Sequence, residues 1–226
     1  MNPNEMNSSY SSAAQVQTFI QRVYQWMAIG LVLTGFTAYG AASNMGLMRA
    51  LAGGGFLLLM IAEIGLVIWL SASILKISVQ AATIGFLVYS FLNGLTLSFI
   101  FLAYTGASIA NTFFITAASF AGVSLFGWAT KTDLSSLRGY LVMGLIGVIA
   151  ASFVNLFFHN PVFEWILSYV GLAVFIGLTA ADTQRLKALH QSGGALEQIA
   201  ILGALQLYLD FVNMFLLLLR LFGRRR

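Results

Sequence analysis

Long apolar stretches, separated by short clusters of charged and turn-forming residues, follow one another along almost the whole chain. A helix that crosses the hydrocarbon core of a membrane needs about 20 mostly apolar residues, so the gaps between charges predict the number of crossings. The pattern predicts seven transmembrane helices. The predicted crossings are residues 24–43, residues 50–75, two between Lys76 and Lys131, one between Arg138 and His159, one from Pro161, and residues 195–221.

Turn-forming residues mark the ends of these predicted helices. Residues 104–108 separate the third helix from the fourth, and Ser192-Gly193-Gly194 separates the sixth from the seventh. His159-Asn160-Pro161 ends the fifth, and Pro161 suits the first position of the sixth, where its missing N–H is not needed. The glycine run at residues 53–55 predicts a turn at the start of the second.

Both ends of the chain are predicted to lie outside the helical domain. Residues 1–21 are rich in Asn, Ser and Gln, lack the basic start and cleavage site of a signal peptide, and predict a disordered polar tail. Residues 224–226 form a short basic tail. The predicted division is therefore a tail at 1–21, a seven-helix transmembrane domain at 22–223 and a tail at 224–226.

Composition supports the same class of protein. The chain is 59% hydrophobic and 8% charged, whereas a soluble domain carries about 25% charged residues. So few charges cannot cover a water-facing surface, which excludes a soluble domain, a disordered chain and a nucleic-acid binder. Zero Cys excludes disulfides and thiolate metal sites. The sequence predicts an all-α integral membrane protein.

Lys and Arg residues in short loops predict the orientation of the helices. With seven crossings, the loops on the side of the N-terminus hold Arg22, Lys76, Lys131, Arg138, Arg185 and Lys187. The opposite loops hold Arg49 alone. This bias predicts a cytoplasmic N-terminus and places the arginine tail at residues 224–226 on the far side. A re-entrant segment in place of one crossing would instead keep that tail inside.

Three acids lie inside predicted crossings: Glu63, Asp182 and Asp210. An ionisable group there costs about 2.5–3.5 kcal/mol on insertion scales and is usually functional. The alternative for each is a neutral carboxylic acid that is hydrogen-bonded to a neighbouring helix. Glu63 is predicted to be buried, and to be protonated at neutral pH unless a cation or Lys76 is nearby.

A polar stripe runs along the seventh predicted helix. Its positions recur at spacings of three and four residues: Gly203, Gln206, Asp210, Asn213, Leu217 and Arg220. So polar a stripe is predicted to face protein or water and not lipid. A seam of hydrogen bonds between helices is the alternative.

Asp182 and Asp210 flank the same predicted cytoplasmic turn. Measured from Gly193 along antiparallel helices, the two positions differ by about 9 Å, so spacing permits a pair without establishing one. If the two carboxyls pair in a low dielectric, one is expected to hold a proton near neutral pH and to make the contact pH-sensitive.

Signatures of enzymes are weak in this chain. His159 and His190 lie in different loops, and neither stands with an acid at metal-ligand spacing. Two intramembrane aspartates also serve presenilin-like aspartyl proteases, but those carry Gly-x-Gly-Asp, whereas Leu207-Tyr208-Leu209 precedes Asp210 here. The sequence therefore predicts a protein that is not an enzyme and needs no cofactor, with the protease as a weak alternative.

Four stretches resemble the Bax inhibitor family, and in particular its bacterial inner-membrane branch. They are residues 93–97, 130–135, 178–187 and 205–223. The resemblance implies seven helices with the C-terminal one central. It also implies a pH-sensitive calcium leak, in which Asp182 and Asp210 form a di-aspartyl sensor that calcium contacts transiently.

The chain departs from the family at one partner of the site. Family members can place an arginine near the inner end of the second helix, whereas this sequence has Ser71-Ala72-Ser73-Ile74-Leu75-Lys76 there, so only Lys76 could serve. Arg220 on the polar stripe is a second cation that the aspartates could capture. Glu63, Gln206 and Asn213 would support the ion path.

A second function comes from the same resemblance, because some bacterial relatives are linked to modulating a membrane-bound ATP-dependent protease. Deleting residues 1–20 would separate the two functions, since a leak should survive the deletion and an interaction made by the tail should not. The expected surroundings are the bacterial inner membrane and a cation, with no nucleic acid.

Overall fold

The computed structural model describes residues 3–74, 76–191 and 196–226. These residues are almost entirely helical and form no β-sheet. The helices are α1 (Pro3–Ala42), α2 (Met45–Ala50), α3 (Phe56–Ser73), α4 (Val79–Leu97), α5 (Ile100–Ala103), α6 (Gly106–Ala129), α7 (Ser135–Phe158), α8 (Pro161–Gln191) and α9 (Leu196–Phe222). The predicted breaker Ser192-Gly193-Gly194 lies outside the described residues.

Helix α1 corrects one prediction. It begins at Pro3 and runs for 40 residues, so the expectation of disorder is wrong for residues 3–20. Val16, Phe19 and Val23 are all buried and recur at spacings of three and four, which gives this segment an apolar face. The Asn and Ser residues that suggested disorder all lie before this apolar face, at positions 2–12. The domain boundary after residue 21 stays a prediction.

The glycine run breaks the helix where a turn was predicted. Between α2 and α3, residues Leu51–Gly55 form a short π-helical segment. Inside it Gly54 adopts a φ of 110°, which a residue with a Cβ rarely reaches, and Gly53 is also outside the helical region. The result is a kink within one long apolar segment.

The junction of α7 and α8 follows the predicted His-Asn-Pro signal. His159 takes a left-handed conformation with φ 51° and ends α7. The Asn160 side chain accepts hydrogen bonds from the N–H groups of Val162 and Phe163, and Pro161 is the first residue of α8.

Six helical segments of the described chain are long and apolar enough to cross a membrane. They are Met45–Ser73, Val79–Ala103, Gly106–Ala129, Ser135–Phe158, Pro161–Leu189 and Glu197–Phe222. These match the second to seventh crossings predicted from the sequence. The first predicted crossing, residues 24–43, lies within α1 up to Ala42 and is not among the six, so a seventh crossing stays a prediction.

The segments differ strongly in burial. None of the apolar window of Ser135–Phe158 is buried, and Phe153, Leu156 and Phe157 are each more than 60% exposed. In Glu197–Phe222, 67% of the window is buried, which is the largest share of the six. Large exposed apolar side chains suit contact with lipid, whereas α9 has the burial of a core helix.

The chain divides into two compact units. The first unit contains Met1–Ala103 and Leu186–Tyr208, and the second contains Tyr104–Arg185 and Leu209–Arg226. In the first, the rings of Phe86 and Tyr208 meet edge to face at 5.8 Å. In the second, the rings of Phe120 and Phe211 meet in the same way at 5.5 Å.

Candidate functional site

Asp182 is a buried carboxylate in an ion pair. It lies on α8 in the second unit, and its Oδ1 accepts a hydrogen bond from Nε of Arg138 at 2.5 Å. The Asp182 side chain is 7% exposed and the Arg138 side chain 28% exposed. Arg138 belongs to the first turn of α7, so the pair joins two helices. Partial burial makes such a charge-assisted contact stronger than a surface ion pair.

A clamp from α8 fixes the loop that leads to Arg138. The side-chain oxygen of Gln184 accepts from the N–H of Leu134 at 2.8 Å, and its Nε2 donates to the carbonyl of Thr132 at 2.8 Å. Gln184 lies two residues beyond Asp182 on the same helix. The helix that carries the acid therefore also holds the start of the helix that carries its cation.

Asp133 stabilises the beginning of α7. Its Oδ1 accepts a hydrogen bond from the N–H of Ser135 at 2.9 Å. This bond favours the charged carboxylate and lowers the pKa of Asp133 below its usual value of 3.8. Asp133 is exposed in the loop between α6 and α7, outside the predicted crossings.

Asp210 is the more isolated of the two aspartates. It lies on α9, is 5% exposed, and its Oδ2 is a buried oxygen without a hydrogen-bond partner among the described residues. The charges of Asp182 and Arg138 both act on it. A buried polar atom without a partner is unusual in a folded protein and calls for a functional or chemical explanation.

A second contact sets the register of α8 against this part of α9. The hydroxyl of Thr179 contacts the sulfur of Met214 at 3.5 Å. Asp182 lies three residues beyond Thr179, and Asp210 lies four residues before Met214, so antiparallel helices bring the two acids to nearly the same level. The 9 Å offset computed around Gly193 assumed a symmetric turn, and this contact removes most of it.

Helix α6 packs closely against α8 beside the acid. A Cβ at Gly127 would collide with the backbone carbonyl of Ala180, two residues before Asp182, so glycine allows the backbones to approach. Ser124 lies one turn earlier on the same buried face, and its hydroxyl is the other buried group without a partner among the described residues.

These groups define an unbalanced electrostatic site. Arg138 is ion-paired with Asp182, whereas no ion pair with Asp210 occurs among the described residues, so the two buried carboxyls are unequally compensated. Carboxylate oxygens are hard ligands that suit Ca²⁺. No cluster of three or more His, Cys, Asp or Glu residues occurs in the described parts of the chain, so the side chains offer two acidic ligands and not a closed cage.

Arg220, one of the two cations predicted from the sequence, pairs with another acid of the second unit. Arg220 is 3.7 Å from Glu164, with both side chains 46% exposed, ten residues along α9 from Asp210. Lys76 belongs to the first unit, between α3 and α4. Sequence reasoning missed Arg138, which it counted only as a marker of orientation. A signal was available: Arg138 lies three residues after the stretch 130–135, which resembles the family.

The polar stripe of α9 is partly open. Asp210 and Gly203 are buried, whereas Gln206, Asn213 and Leu217 are of intermediate exposure and Arg220 is exposed. The amide of Asn213 donates to the carbonyl of Leu209 in its own helix. The assignment of this stripe to an ion path stays a prediction.

Glu63 lies on α3 in the first unit. It is 9% exposed, which agrees with the burial predicted for it. Its carboxyl accepts hydrogen bonds from the amide of Asn93 at 3.2 Å and from the hydroxyl of Thr96. Both donors lie on α4.

Comparison with known proteins agrees with the resemblance seen in the motifs. Residues 16–226 match the family described as "Inhibitor of apoptosis-promoting Bax1". The inner membrane protein YbhL of Escherichia coli K12 is 48% identical over 220 residues, which cover 94% of each chain. Uncharacterized proteins of Borreliella burgdorferi and Rickettsia prowazekii are 41% and 39% identical, and the alignments cover more than 90% of every chain.

Proposed function

The chain belongs to the Bax inhibitor family, and on that premise we propose that it lets cations, calcium among them, leak across the inner membrane under the control of Asp182 and Asp210. The carrying observation is that Arg138 is ion-paired with the buried Asp182, while the buried Asp210 has a carboxyl oxygen without a partner among the described residues. Either a proton or a metal cation can supply the missing charge. Proton and cation therefore compete for the same oxygens.

The chemistry of the pair favours passage over storage. Ca²⁺ takes six to eight oxygen ligands, and two aspartates supply at most four. The remaining ligands must be water or carbonyl oxygens, which a permeating ion exchanges readily. While Arg138 stays paired with Asp182, its positive charge repels a second cation. The ion pair therefore lowers the affinity of the aspartates for a metal cation further.

The exposure of α9 supports a path along this helix. It is the most buried of the six membrane-length segments, yet Gln206 and Asn213 on its polar stripe are partly open. We assign the part of that stripe formed by Asp210, Asn213 and Leu217 in the second unit to the wall of the path, and α9 to the central position that the resemblance implies.

Flux measurements on purified protein in liposomes test the proposal, with Ca²⁺, Na⁺ and protons compared. Asp182→Asn, Asp210→Asn and the double variant should each flatten the pH dependence of flux, and the double should add little, because removing either acid abolishes the shared proton. Glu164→Gln is the control, since this exposed acid pairs with Arg220 away from the site.

Two results would reject the assignment. Strictly additive effects of the two substitutions would mean that the aspartates act separately. A pH profile that survives in either single variant would remove that residue from the sensor.

A further inference from the structure

A chain of four buried hydrogen bonds crosses the first unit from α3 to α1. The amide of Asn93 contacts Oε2 of Glu63 at 3.2 Å, and the hydroxyl of Tyr208 contacts Oδ1 of Asn93 at 2.9 Å. The same phenol oxygen lies 2.6 Å from Oγ1 of Thr34, which contacts the carbonyl of Ser90 at 2.8 Å. Residues of α3, α4, α9 and α1 thus share one polar network.

Apolar and aromatic groups shield this network from solvent. Tyr208 is fully buried, and Glu63, Asn93 and Thr34 are each less than 10% exposed. The rings of Phe86 and Tyr89 meet the Tyr208 ring edge to face at 5.8 and 6.0 Å. In such surroundings every polar contact needs its own hydrogen, because an unsatisfied group costs about 1–3 kcal/mol.

With an ionised Glu63 the network is one hydrogen short. The amide of Asn93 donates to the carboxylate, Tyr208 donates to Asn93, and Thr34 donates to the carbonyl of Ser90. The phenol and the Thr34 hydroxyl have then used their single hydrogens, yet their oxygens lie 2.6 Å apart. The Ser90 hydroxyl also acts on the Tyr208 phenol, but it donates its hydrogen to the carbonyl of Phe86 and places none between Tyr208 and Thr34.

A proton on Glu63 removes the shortage. The oxygen and nitrogen of an asparagine amide are assigned from their hydrogen bonds, so the Asn93 amide can be turned over. A protonated Glu63 then donates to Oδ1 of Asn93, the Asn93 amide donates to Tyr208, Tyr208 donates to Thr34, and Thr34 donates to the Ser90 carbonyl. Each of the four contacts holds one hydrogen, and all donors point the same way along the chain.

We propose that Glu63 is a proton-binding site, separate from the aspartate pair, whose occupancy sets the direction of this hydrogen-bond chain. When the proton is bound, the Tyr208 phenol donates to Thr34 and links α9 to α1. When the proton leaves, the Asn93 amide turns toward the carboxylate, the phenol turns toward Asn93, and the link between α9 and α1 loses its hydrogen.

The groups around Glu63 are consistent with a neutral acid. Thr96 and Asn93 contact its carboxyl from α4, and the phenols of Tyr89 on α4 and Tyr208 on α9 interact with it electrostatically. In the parts of the chain that the structure describes, none of the groups acting on Glu63 is a cation. A bound proton is therefore the available way to neutralise it in a buried site.

Infrared spectroscopy of the full-length protein in lipid nanodiscs tests this directly. Selective ¹³C labelling of glutamate carboxyl groups shifts bands of the four glutamates and leaves those of the three aspartates, so Glu63 is distinguished from Asp182 and Asp210. We expect one label-sensitive carbonyl band of a protonated acid at neutral pH. Glu63→Gln should remove it, whereas Glu164→Gln, which changes an exposed ion-paired acid, should not.

Tyr208→Phe supplies the second measurement. Without the phenol, the Asn93 amide loses its acceptor, and the protonated-acid band should shift in frequency and titrate at a lower pH than in the wild type. A label-sensitive carboxylate band alone at neutral pH in the wild-type protein would overturn the proposal even if both variants failed to fold. If Tyr208→Phe left the carbonyl band of the protonated acid unchanged, the proposed hydrogen-bond chain from Glu63 to Tyr208 would be rejected. Neither readout depends on ion flux, so the leak can fail independently.

Discussion

At the scale of single residues, Arg138 carries the counter-charge of the aspartate site. Arg138→Gln would leave two buried carboxyls without a cation, and removing one partner of a buried pair costs about 3–5 kcal/mol. We expect about 3 kcal/mol in the free energy of unfolding, because the arginine is 28% exposed. Asp182→Asn in the same chain should recover part of this loss, and denaturant unfolding in detergent micelles measures both.

Arg220→Gln is the matched control for this prediction. Arg220 is 3.7 Å from Glu164 and both side chains are 46% exposed, so its loss should cost about 0–1 kcal/mol. If the two arginine variants lost equal stability, or if Asp182→Asn recovered nothing, Arg138 would not be the stabilising partner of the acid.

The sequence made the acids of the site easy to predict but not the arginine that pairs with one of them. Asp182, Asp210 and Glu63 stand out in the sequence because an acid within an apolar stretch has few ordinary explanations. Arg138 did not stand out, because a basic residue at the end of a crossing is also what orients a helix in the membrane. Sequence spacing cannot separate those two roles, since the choice depends on which acid lies across from the arginine.

At the scale of elements, the contact between α6 and α8 depends on Gly127. A Cβ at this position would meet the Ala180 backbone, which cannot move aside like a flexible side chain. Gly127→Ala should therefore destabilise the protein by about 1–3 kcal/mol through overpacking. Gly122→Ala on the same helix meets nothing within 4 Å and should be neutral or slightly stabilising. Equal melting temperatures for the two variants would argue against a tight α6–α8 contact.

The start of α7 should respond to acid through Asp133. Its hydrogen bond with Ser135 lowers its pKa in the folded protein below the usual 3.8, so the bond stabilises the fold fully above that value. The contribution is lost as the pH falls through the lower folded pKa. The difference in melting temperature between the wild type and Asp133→Ala should therefore be largest at neutral pH and vanish in strong acid. A difference that grew on acidification would contradict this sign.

The elements themselves were largely predictable, because the thickness of a membrane fixes helix length and glycine, proline and asparagine mark the ends. The turn at residues 53–55 and the start of α8 at Pro161 are confirmed. The break predicted at residues 104–108 is confirmed at Tyr104 and Thr105, whereas Gly106 already begins α6. The N-terminal half of α1 was missed, since a three-residue apolar periodicity among many polar positions gives a weak signal.

At the scale of the whole molecule, hydrogen bonds from the C-terminal tail show which end of α6 the tail contacts. The carbonyl of Arg224 accepts from the N–H of Thr105 at 3.1 Å, and the N–H of Arg224 donates to the Ser108 hydroxyl at 2.8 Å. The tail is therefore fixed at the N-terminal end of α6. The loop with Lys131 follows the opposite end of that helix, whose 24 residues span about 36 Å, more than the hydrocarbon core.

This geometry predicts the topology without depending on the number of crossings. If Lys131, Arg185 and the other inner basic residues are cytoplasmic, the tail must lie on the far side, despite its three arginines. Reporter fusions after residue 226 should behave as extracytoplasmic, and fusions in the loop near Lys131 as cytoplasmic. A cytoplasmic signal at residue 226 beside a cytoplasmic signal near Lys131 would require α6 to re-enter instead of cross. If α6 crosses and the N-terminus is cytoplasmic, an extracytoplasmic residue 226 also requires an odd number of crossings. The six membrane-length segments then need a seventh, which the predicted crossing at residues 24–43 supplies.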